Sequence, residues 1–207
     1  MELVDSTCPP LDPARGEPNK QTVDFFKASG CRTFAEIGVY KGDTSRKIAD
    51  HLAGKGEIHL FDFDDNVARV VSGLRAAGHE NIVAHGNSRK LMDSYNWSLM
   101  RLLREHPEPL FDYVFLDGAH TWGFDALAFL LLDRLLVDGG CMDFDDYWWT
   151  AARSPTMNPE VFQATSKLYT EEQIEERQVA LVVDLLVRRD PRYEEVVENK
   201  IFRKRSP

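Results

Sequence analysis

Short apolar runs alternate with helical patterns along most of this chain, and that alternation restricts its fold more than any other feature. Between the runs, apolar residues recur at the spacing of an amphipathic helix. The runs that predict strands are 33–39, 57–63, 81–84, 111–116 and 139–144. Repeated strand–helix units are typical of parallel strands joined by crossover helices. We therefore predict an α/β protein with a doubly wound, mostly parallel sheet.

The two ends of the chain depart from this alternation. Residues 1–20 contain several prolines and no apolar periodicity, which predicts an irregular N-terminal arm. Two further apolar runs, 179–187 and 199–203, predict strands, and their short connection favours an antiparallel hairpin. Residues 147–175 show no strand pattern. We expect one domain over residues 21–207, with 147–175 as an insertion.

The charge and composition disfavour several classes of partner. The 207 residues carry a formal net charge of −9 at pH 7, whereas a surface that binds nucleic acid is basic. No apolar stretch approaches the roughly 20 residues of a membrane span, and the first residues lack the features of a secretory signal. The three cysteines show no paired spacing, which favours reduced thiols. We predict a cytoplasmic protein that binds neither nucleic acid nor a membrane, and the sequence leaves open whether it forms a homo-oligomer.

A pair of glycines follows the first predicted strand, at the sheet edge where doubly wound folds bind ligands. Gly38 and Gly42 allow a tight turn between strand and helix. Their spacing differs from the GxGxxG pattern of dinucleotide-binding proteins, which disfavours a nicotinamide-dependent enzyme. Glu36 would place negative charge beside the ligand, which favours a cation such as a sulfonium over a pyrophosphate. Glycines of this kind also occur in turns that bind nothing.

Polar residues end the next two predicted strands. Asp62 ends the second strand, where an acid can accept both hydroxyl protons of a ribose. The alternative is that an acid at this point only caps the following helix. Asn87 and Ser88 end the third strand and are suited to meeting an adenine edge.

These motifs together resemble the class I S-adenosylmethionine-dependent methyltransferases from about residue 20 onward. The matching pattern is E-x-G-x-x-x-G at 36–42, the acid Asp62 and the GNS triplet at 86–88. The resemblance implies a Rossmann-like methyltransferase fold of seven strands with an antiparallel last strand. It also implies that S-adenosyl-L-methionine is the cofactor. The cofactor-binding residues it implies are Glu36, Gly38, Tyr40, Gly42, Thr44, Asp62, Asn87, Ser88 and Asp117.

Three carboxylates stand at the ends of the fourth and fifth predicted strands. Asp117 ends the fourth strand, and Asp145 and Asp146 follow the fifth. Because the ends of adjacent parallel strands meet at one edge, we expect these side chains to converge. Carboxylates this close repel one another unless a cation neutralises them. Oxygen ligands favour Mg²⁺, Mn²⁺ or Ca²⁺ over zinc.

The same region resembles a narrower branch, the metal-dependent O-methyltransferases of the macrocin type, which modify hydroxyls of sugars and other secondary metabolites. The matching elements are D-G-x-H at 117–120 and the acid pair Asp145 and Asp146. The resemblance implies that Asp117, Asp145 and Asp146 bind Mg²⁺ or another hard divalent cation. It also implies that Asp117 and His120 are catalytic, with His120 as the base. A lone histidine can instead cap a helix or pack in the core.

Aromatic residues follow the acid pair. Tyr147, Trp148 and Trp149 begin the insertion on the substrate side of the sheet and are suited to stacking on an acceptor ring. They are equally suited to a hydrophobic seam that holds the insertion in place. We predict metal-assisted O-methylation of a small-molecule hydroxyl, on a sugar or secondary metabolite. The alternatives are an NAD(P)-dependent oxidoreductase and a non-catalytic cofactor-binding partner protein of the same fold.

Overall fold

The computed structural model describes residues 19–90 and 92–206, and a seven-stranded sheet lies at its centre. The strand order is β3-β2-β1-β4-β5-β7-β6. The strands are β1 Thr33–Ile37, β2 Glu57–Phe63, β3 Ile82–Asn87, β4 Phe111–Leu116, β5 Leu136–Phe144, β6 Tyr193–Val197 and β7 Ile201–Lys204. β1 to β5 pair in parallel, while β7 is antiparallel to both of its neighbours. The predicted Rossmann-like methyltransferase fold is confirmed.

Helices cover both faces of the sheet. They are α1 Lys20–Ser29, α2 Asp43–Leu52, α3 Asp64–Ala76, α4 Tyr95–Glu105, α5 Trp122–Leu135, α6 Thr165–Leu168, α7 Glu171–Glu175 and α8 Gln178–Val182. The apolar faces of α1, α2 and α3 form one core with the sheet, and those of α4, α5 and α8 form the other. Among the described residues, no helix is both long and apolar enough to cross a membrane.

The strand order reverses between β1 and β4. The chain leaves β1 toward β2 and β3 on one side and resumes at β4 on the other. At such a point the loops after the two central strands diverge and leave a crevice at the carboxyl edge. The ends of β1, β2, β4 and β5 therefore border the candidate site.

The prediction of a strand at 179–187 is wrong. This run forms α8, which continues into a π-helical turn over Val183–Val187. Val179, Val182, Val183 and Val187 are buried against α5, whereas Leu185 is exposed. That spacing is helical, but the β-branched composition of the run favours a strand.

The terminal hairpin exists, with a different first strand. β6 comes from the segment that was predicted to be a connection, and β7 follows after a turn at 198–200. The sequence also gave no prediction for α1, whose buried Val23 and Phe26 pack on the sheet. Residues 1–18 of the predicted N-terminal arm lie outside the described residues, and Lys20 begins α1. In the insertion, the described chain forms a 3₁₀ turn at Ala151–Arg153, α6 and α7.

Candidate active site

The glycine turn after β1 packs directly on the end of β4. Gly38 has a φ of 90°, and a Cβ added there would lie 1.8 Å from the carbonyl oxygen of Asp117. Gly42 has a φ of 79°, and a Cβ there would lie 2.6 Å from Cγ1 of Val70 on α3. Both positions therefore require glycine. The turn over 38–42, called the glycine turn below, is held between β4 and α3.

Asp62 orders the glycine turn. Its Oδ2 accepts hydrogen bonds from the backbone N–H groups of Val39 (2.9 Å) and Tyr40 (2.8 Å). Its Oδ1 accepts from the N–H of Phe63 (2.6 Å) and from the side-chain amide of Asn66 (3.1 Å). The Tyr40 ring is exposed beside the turn. Asp62 lies at the carboxyl edge as predicted, and its ribose contact remains a prediction.

Glu36 and Thr44 lie in the interior. Glu36 is 2% exposed and accepts a hydrogen bond from the hydroxyl of Ser45 on α2. Burial raises the pKa of Glu36 to about 8, so this side chain holds a proton at neutral pH. Thr44 is buried, and its hydroxyl accepts from the Asn19 amide (2.9 Å). In this structure both side chains anchor α2. The prediction that Glu36 places negative charge beside the ligand is therefore wrong, because its carboxyl group is buried and protonated.

The end of β3 is stabilised by its own turn. The buried amide of Asn87 donates to the carbonyl oxygens of Ser88 (3.2 Å) and Asp93 (3.3 Å). The N–H of Ser88 donates to Oδ2 of Asp93 (2.7 Å). Asn87 thus shapes the loop after β3. Asp93, which was not among the predicted site residues, supplies the carboxylate of this loop.

Asp117, His120 and Asp146 converge at the ends of β4 and β5. Nε2 of His120 lies 3.7 Å from Oδ1 of Asp117 and 3.6 Å from Oδ2 of Asp146. One ligand atom from each of the three lies within 4.8 Å of the others, the only such group found among the described residues. His120 (φ 55°) and Asp146 (φ 58°) adopt left-handed backbone conformations, which non-glycine residues adopt rarely and often at functional sites. We call these three residues the Asp–His group.

The carboxylate of Asp117 lies in a buried environment beside the negative charges of Asp145 and Asp146. Burial raises its pKa well above the usual range, and the charges of Asp145 and Asp146 raise it further. Lys200 acts in the opposite direction. Such a site favours either a proton or a bound cation at Asp117.

Asp145 faces a lysine instead of joining the Asp–His group. β5 ends at Phe144, so Asp145 and Asp146 lie in the following loop, and Oδ1 of Asp145 lies 3.4 Å from Nζ of Lys200. The same ammonium lies 3.0 Å from Oδ1 of Asp143, which is fully buried. Of the predicted metal ligands, the structure therefore brings Asp117 and Asp146 together with His120. Lys200 was missed because it precedes the final strand and reaches the site only through the hairpin.

The three aromatic residues after the acid pair point to different partners. The Trp149 ring lies 5.2 Å from the His120 ring. The Tyr147 hydroxyl donates to the Asp184 carboxylate (3.0 Å). The Trp148 ring packs beneath the Arg177 guanidinium (4.9 Å to the ring centroid). Trp149 therefore borders the Asp–His group, whereas Tyr147 and Trp148 hold the insertion against the C-terminal segments.

Comparisons with known proteins agree with this fold. Residues 35–147 match a protein family described as a methyltransferase domain. No match was found among curated proteins. The fold is similar to that of the SAH-bound methyltransferase PaMTH1 from Podospora anserina (TM-score 0.59, 16% identity, 90% of this chain and 77% of that chain).

Two O-methyltransferase structures are also similar. One is from Bacillus cereus in complex with SAH (TM-score 0.56, 15% identity, 89% of this chain and 75% of that chain). The other is TomG from Streptomyces achromogenes, involved in tomaymycin synthesis and in complex with SAM (TM-score 0.53, 18% identity, 76% of this chain and 70% of that chain). At these identities the likeness shows the fold.

The family match covers more than half of the chain and includes the glycine turn, Asp62 and the Asp–His group. The narrower resemblance to macrocin-type enzymes remains a prediction. The chain belongs to the methyltransferase-domain family and is a class I S-adenosylmethionine-dependent methyltransferase.

Proposed function

We propose that this enzyme transfers a methyl group from S-adenosylmethionine to a hydroxyl of a small molecule, such as a sugar or another secondary metabolite. The observation that carries the proposal is the position of Asp117. Its backbone touches Gly38 of the glycine turn, and its side chain belongs to the Asp–His group. One residue therefore joins the predicted donor site to a group that can activate an acceptor.

The glycine turn and Asp62 suit the donor. When bound, S-adenosylmethionine supplies a methyl group on a positively charged sulfur. Because Gly38 has no Cβ, the glycine turn can pack directly on the Asp117 carbonyl, which puts the predicted donor site beside Asp117. The carboxylate of Asp62 gives the crevice negative charge, which favours a sulfonium. The comparison structures with SAM or SAH support the same donor here.

The Asp–His group fits a divalent cation. Two carboxylates and one imidazole offer ligand atoms within 4.8 Å of one another. The two carboxylates suit Mg²⁺ or Mn²⁺ and would hold the cation, with the His120 imidazole left outside its coordination. A divalent cation there would lower the pKa of an acceptor hydroxyl and fix its orientation. The predicted role of Asp145 would require its carboxylate to leave Lys200, so the proposal rests on Asp117 and Asp146.

His120 serves as the base in this proposal. Its Nε2 faces both carboxylates, so a hydroxyl held between them lies within reach of an imidazole nitrogen that can accept its proton. Asp117 and Asp146 would stabilise the imidazolium that results. Trp149 beside His120 offers a flat apolar wall for the acceptor.

The test is transfer of a labelled methyl group from S-adenosylmethionine to a panel of hydroxylated small molecules. We expect activity that is lost with a chelator and restored by Mg²⁺ or Mn²⁺. The substitution His120→Ala should lower kcat by about 10²- to 10⁴-fold, the usual contribution of a general base. The control is His79→Ala, because His79 also pairs with a carboxylate, Asp50 (3.0 Å), but precedes β3 at the opposite edge of the sheet.

Three results would overturn separate parts of the proposal. Activity that is indifferent to metal removal would exclude the cation, and wild-type turnover of His120→Ala would exclude the base. Methylation confined to nitrogen or carbon acceptors would exclude O-methylation.

A further inference from the structure

The loop that carries the Asp–His group is held by side chains outside that group. Residues 117–122, called the site loop, run from the end of β4 to the first residue of α5. The loop begins with a hydrogen bond from the N–H of Asp117 to the carbonyl oxygen of Ile37 (2.9 Å). Its central residue, His120, has a φ of 55°. Because a non-glycine residue adopts this conformation rarely, the loop needs fixed partners to hold it.

Asp125 and Tyr95 supply those partners. Oδ1 of Asp125 accepts hydrogen bonds from the Tyr95 hydroxyl (2.6 Å) and from the N–H of Ala119 (3.3 Å). Its Oδ2 accepts from the N–H of Thr121 (3.1 Å). The Tyr95 hydroxyl also accepts from Ala119 (3.2 Å). The N–H groups on both sides of His120 are thus bound by one carboxylate and one hydroxyl.

The contact between this pair and the site loop is close. A Cβ added at Gly118 would lie 2.7 Å from Oδ1 of Asp125 and 2.8 Å from the Tyr95 hydroxyl. Asp125 is 2% exposed and Tyr95 is 9% exposed. Burial raises the pKa of Asp125, while the Tyr95 hydroxyl and the loop N–H groups lower it. The end of the loop is bound by Gln178 of α8, whose Oε1 accepts from the N–H of Trp122 (2.8 Å).

We propose that Asp125 and Tyr95 are positioning residues, which fix the site loop so that the His120 imidazole faces Asp117 and Asp146. This inference rests on the proposed function, because it gives His120 a reason to be held. Neither residue belongs to the Asp–His group, and both act through the backbone of the loop. Asp125 projects from the first turn of α5 and Tyr95 from the start of α4, so two helices jointly set the loop.

The test compares Asp125→Asn and Tyr95→Phe with Tyr193→Phe. Asparagine keeps the shape of aspartate but turns one acceptor oxygen into a donor, which faces the loop N–H groups. Tyr193 is a matched control, because it is 7% exposed and donates to a carboxylate, Asp133 (2.8 Å), at the opposite edge of the sheet. For each variant we would measure kcat, the Kd of S-adenosylmethionine by calorimetry, and amide hydrogen exchange of residues 117–122 by mass spectrometry.

We expect Asp125→Asn to lower kcat by about 10- to 100-fold, the effect of a small misplacement of a catalytic group. The Kd of the donor should change by less than about twofold, since the glycine turn is untouched, and exchange should accelerate in the site loop. Tyr95→Phe should show the same pattern more weakly, because Ala119 keeps its contact with Asp125. Tyr193→Phe should leave kcat and loop exchange unchanged.

Wild-type kcat with unchanged loop exchange in Asp125→Asn would overturn the inference, as would an equal loss of activity in Tyr193→Phe. If Asp125→Asn does not fold, the comparison of Tyr95→Phe with Tyr193→Phe decides in the same way. The exchange measurement does not depend on turnover. A failure of the proposed function, seen as wild-type activity of His120→Ala, is therefore distinct from a failure of the positioning pair.

Discussion

Gly38 joins the two halves of the active site. Its added Cβ would meet the backbone carbonyl of Asp117, which cannot move without disturbing β4. We expect Gly38→Ala to destabilise the fold by about 3 kcal/mol, from backbone strain and overpacking together. Gly54→Ala is the control, because Gly54 has a φ of 78° with nothing within 4 Å. It should cost only about 1 kcal/mol of backbone strain. Denaturant unfolding measures both, and equal losses would contradict the close contact at Gly38.

Glu36 makes the stability of the protein depend on pH. Burial raises its pKa from 4.5 to about 8, so the folded state keeps a proton that the unfolded state loses. The contribution of Glu36 to the free energy of unfolding is therefore fully present below pH 4.5 and is lost as the pH rises toward 8. We expect Glu36→Gln to have a flatter stability profile than the wild type between pH 5 and 8. Parallel profiles in denaturant unfolding would show that Glu36 is ionised in the folded state.

Site residues could be predicted from the sequence where they directly follow strands that are neighbours in the sheet. Asp117, His120 and Asp146 follow strands whose ends had to be neighbours, and they do converge. The pairing of Asp145 with Lys200 spans 55 positions, and that of Tyr95 with Asp125 spans 30. Such contacts depend on how hairpin and helices pack, which local pattern does not reveal. The one local signal was a charged residue, Asp125, on the buried face of α5.

Among the elements, the C-terminal hairpin is fastened to the active-site edge by Lys200. Its ammonium pairs with the buried Asp143 (3.0 Å) and also donates to the Phe144 carbonyl (3.3 Å). Asp143 and Asp145 raise the pKa of Lys200 despite its burial, so it is charged at neutral pH.

We expect Lys200→Met to destabilise the fold by about 3 to 5 kcal/mol, because it leaves the buried Asp143 carboxylate without a cation. The double variant Lys200→Met with Asp143→Asn should lose less than the single variant, since no buried charge then remains. Denaturant unfolding of the four proteins in this cycle measures the coupling. Strictly additive losses would show that the ion pair contributes nothing.

The elements differ in how well their sequences reveal them. β1, β2, β4 and β5 are mostly buried, so they form short apolar runs between turn residues, and their order along the chain predicted the parallel sheet. Residues 178–187 form a helix buried against α5, and a buried helix gives the same apolar run as a buried strand. β6 has one buried residue and two exposed glutamates among its five residues, which left it without a strand signal.

For the whole molecule, binding of the donor should stabilise the fold. At a concentration of 100 times its Kd, a ligand of the folded state adds about 2.7 kcal/mol to the free energy of unfolding. For a chain of 207 residues this corresponds to a rise in Tm of about 5 to 10 °C. Thermal unfolding with S-adenosylmethionine should show that rise, and NAD⁺ at the same concentration should not. The reverse result would favour a nicotinamide-dependent enzyme.

The most direct measurement is anomalous diffraction from a crystal of the wild-type protein soaked with Mn²⁺ and S-adenosylhomocysteine. The predicted result is adenosyl density along the glycine turn and one Mn²⁺ peak within coordination distance of the Asp117 and Asp146 carboxylates. His120 should then lie between that ion and the acceptor side. A peak remote from Asp117 and Asp146, or adenosyl density away from Gly38, would contradict the shared position of donor and cation on which the proposed methyl transfer depends.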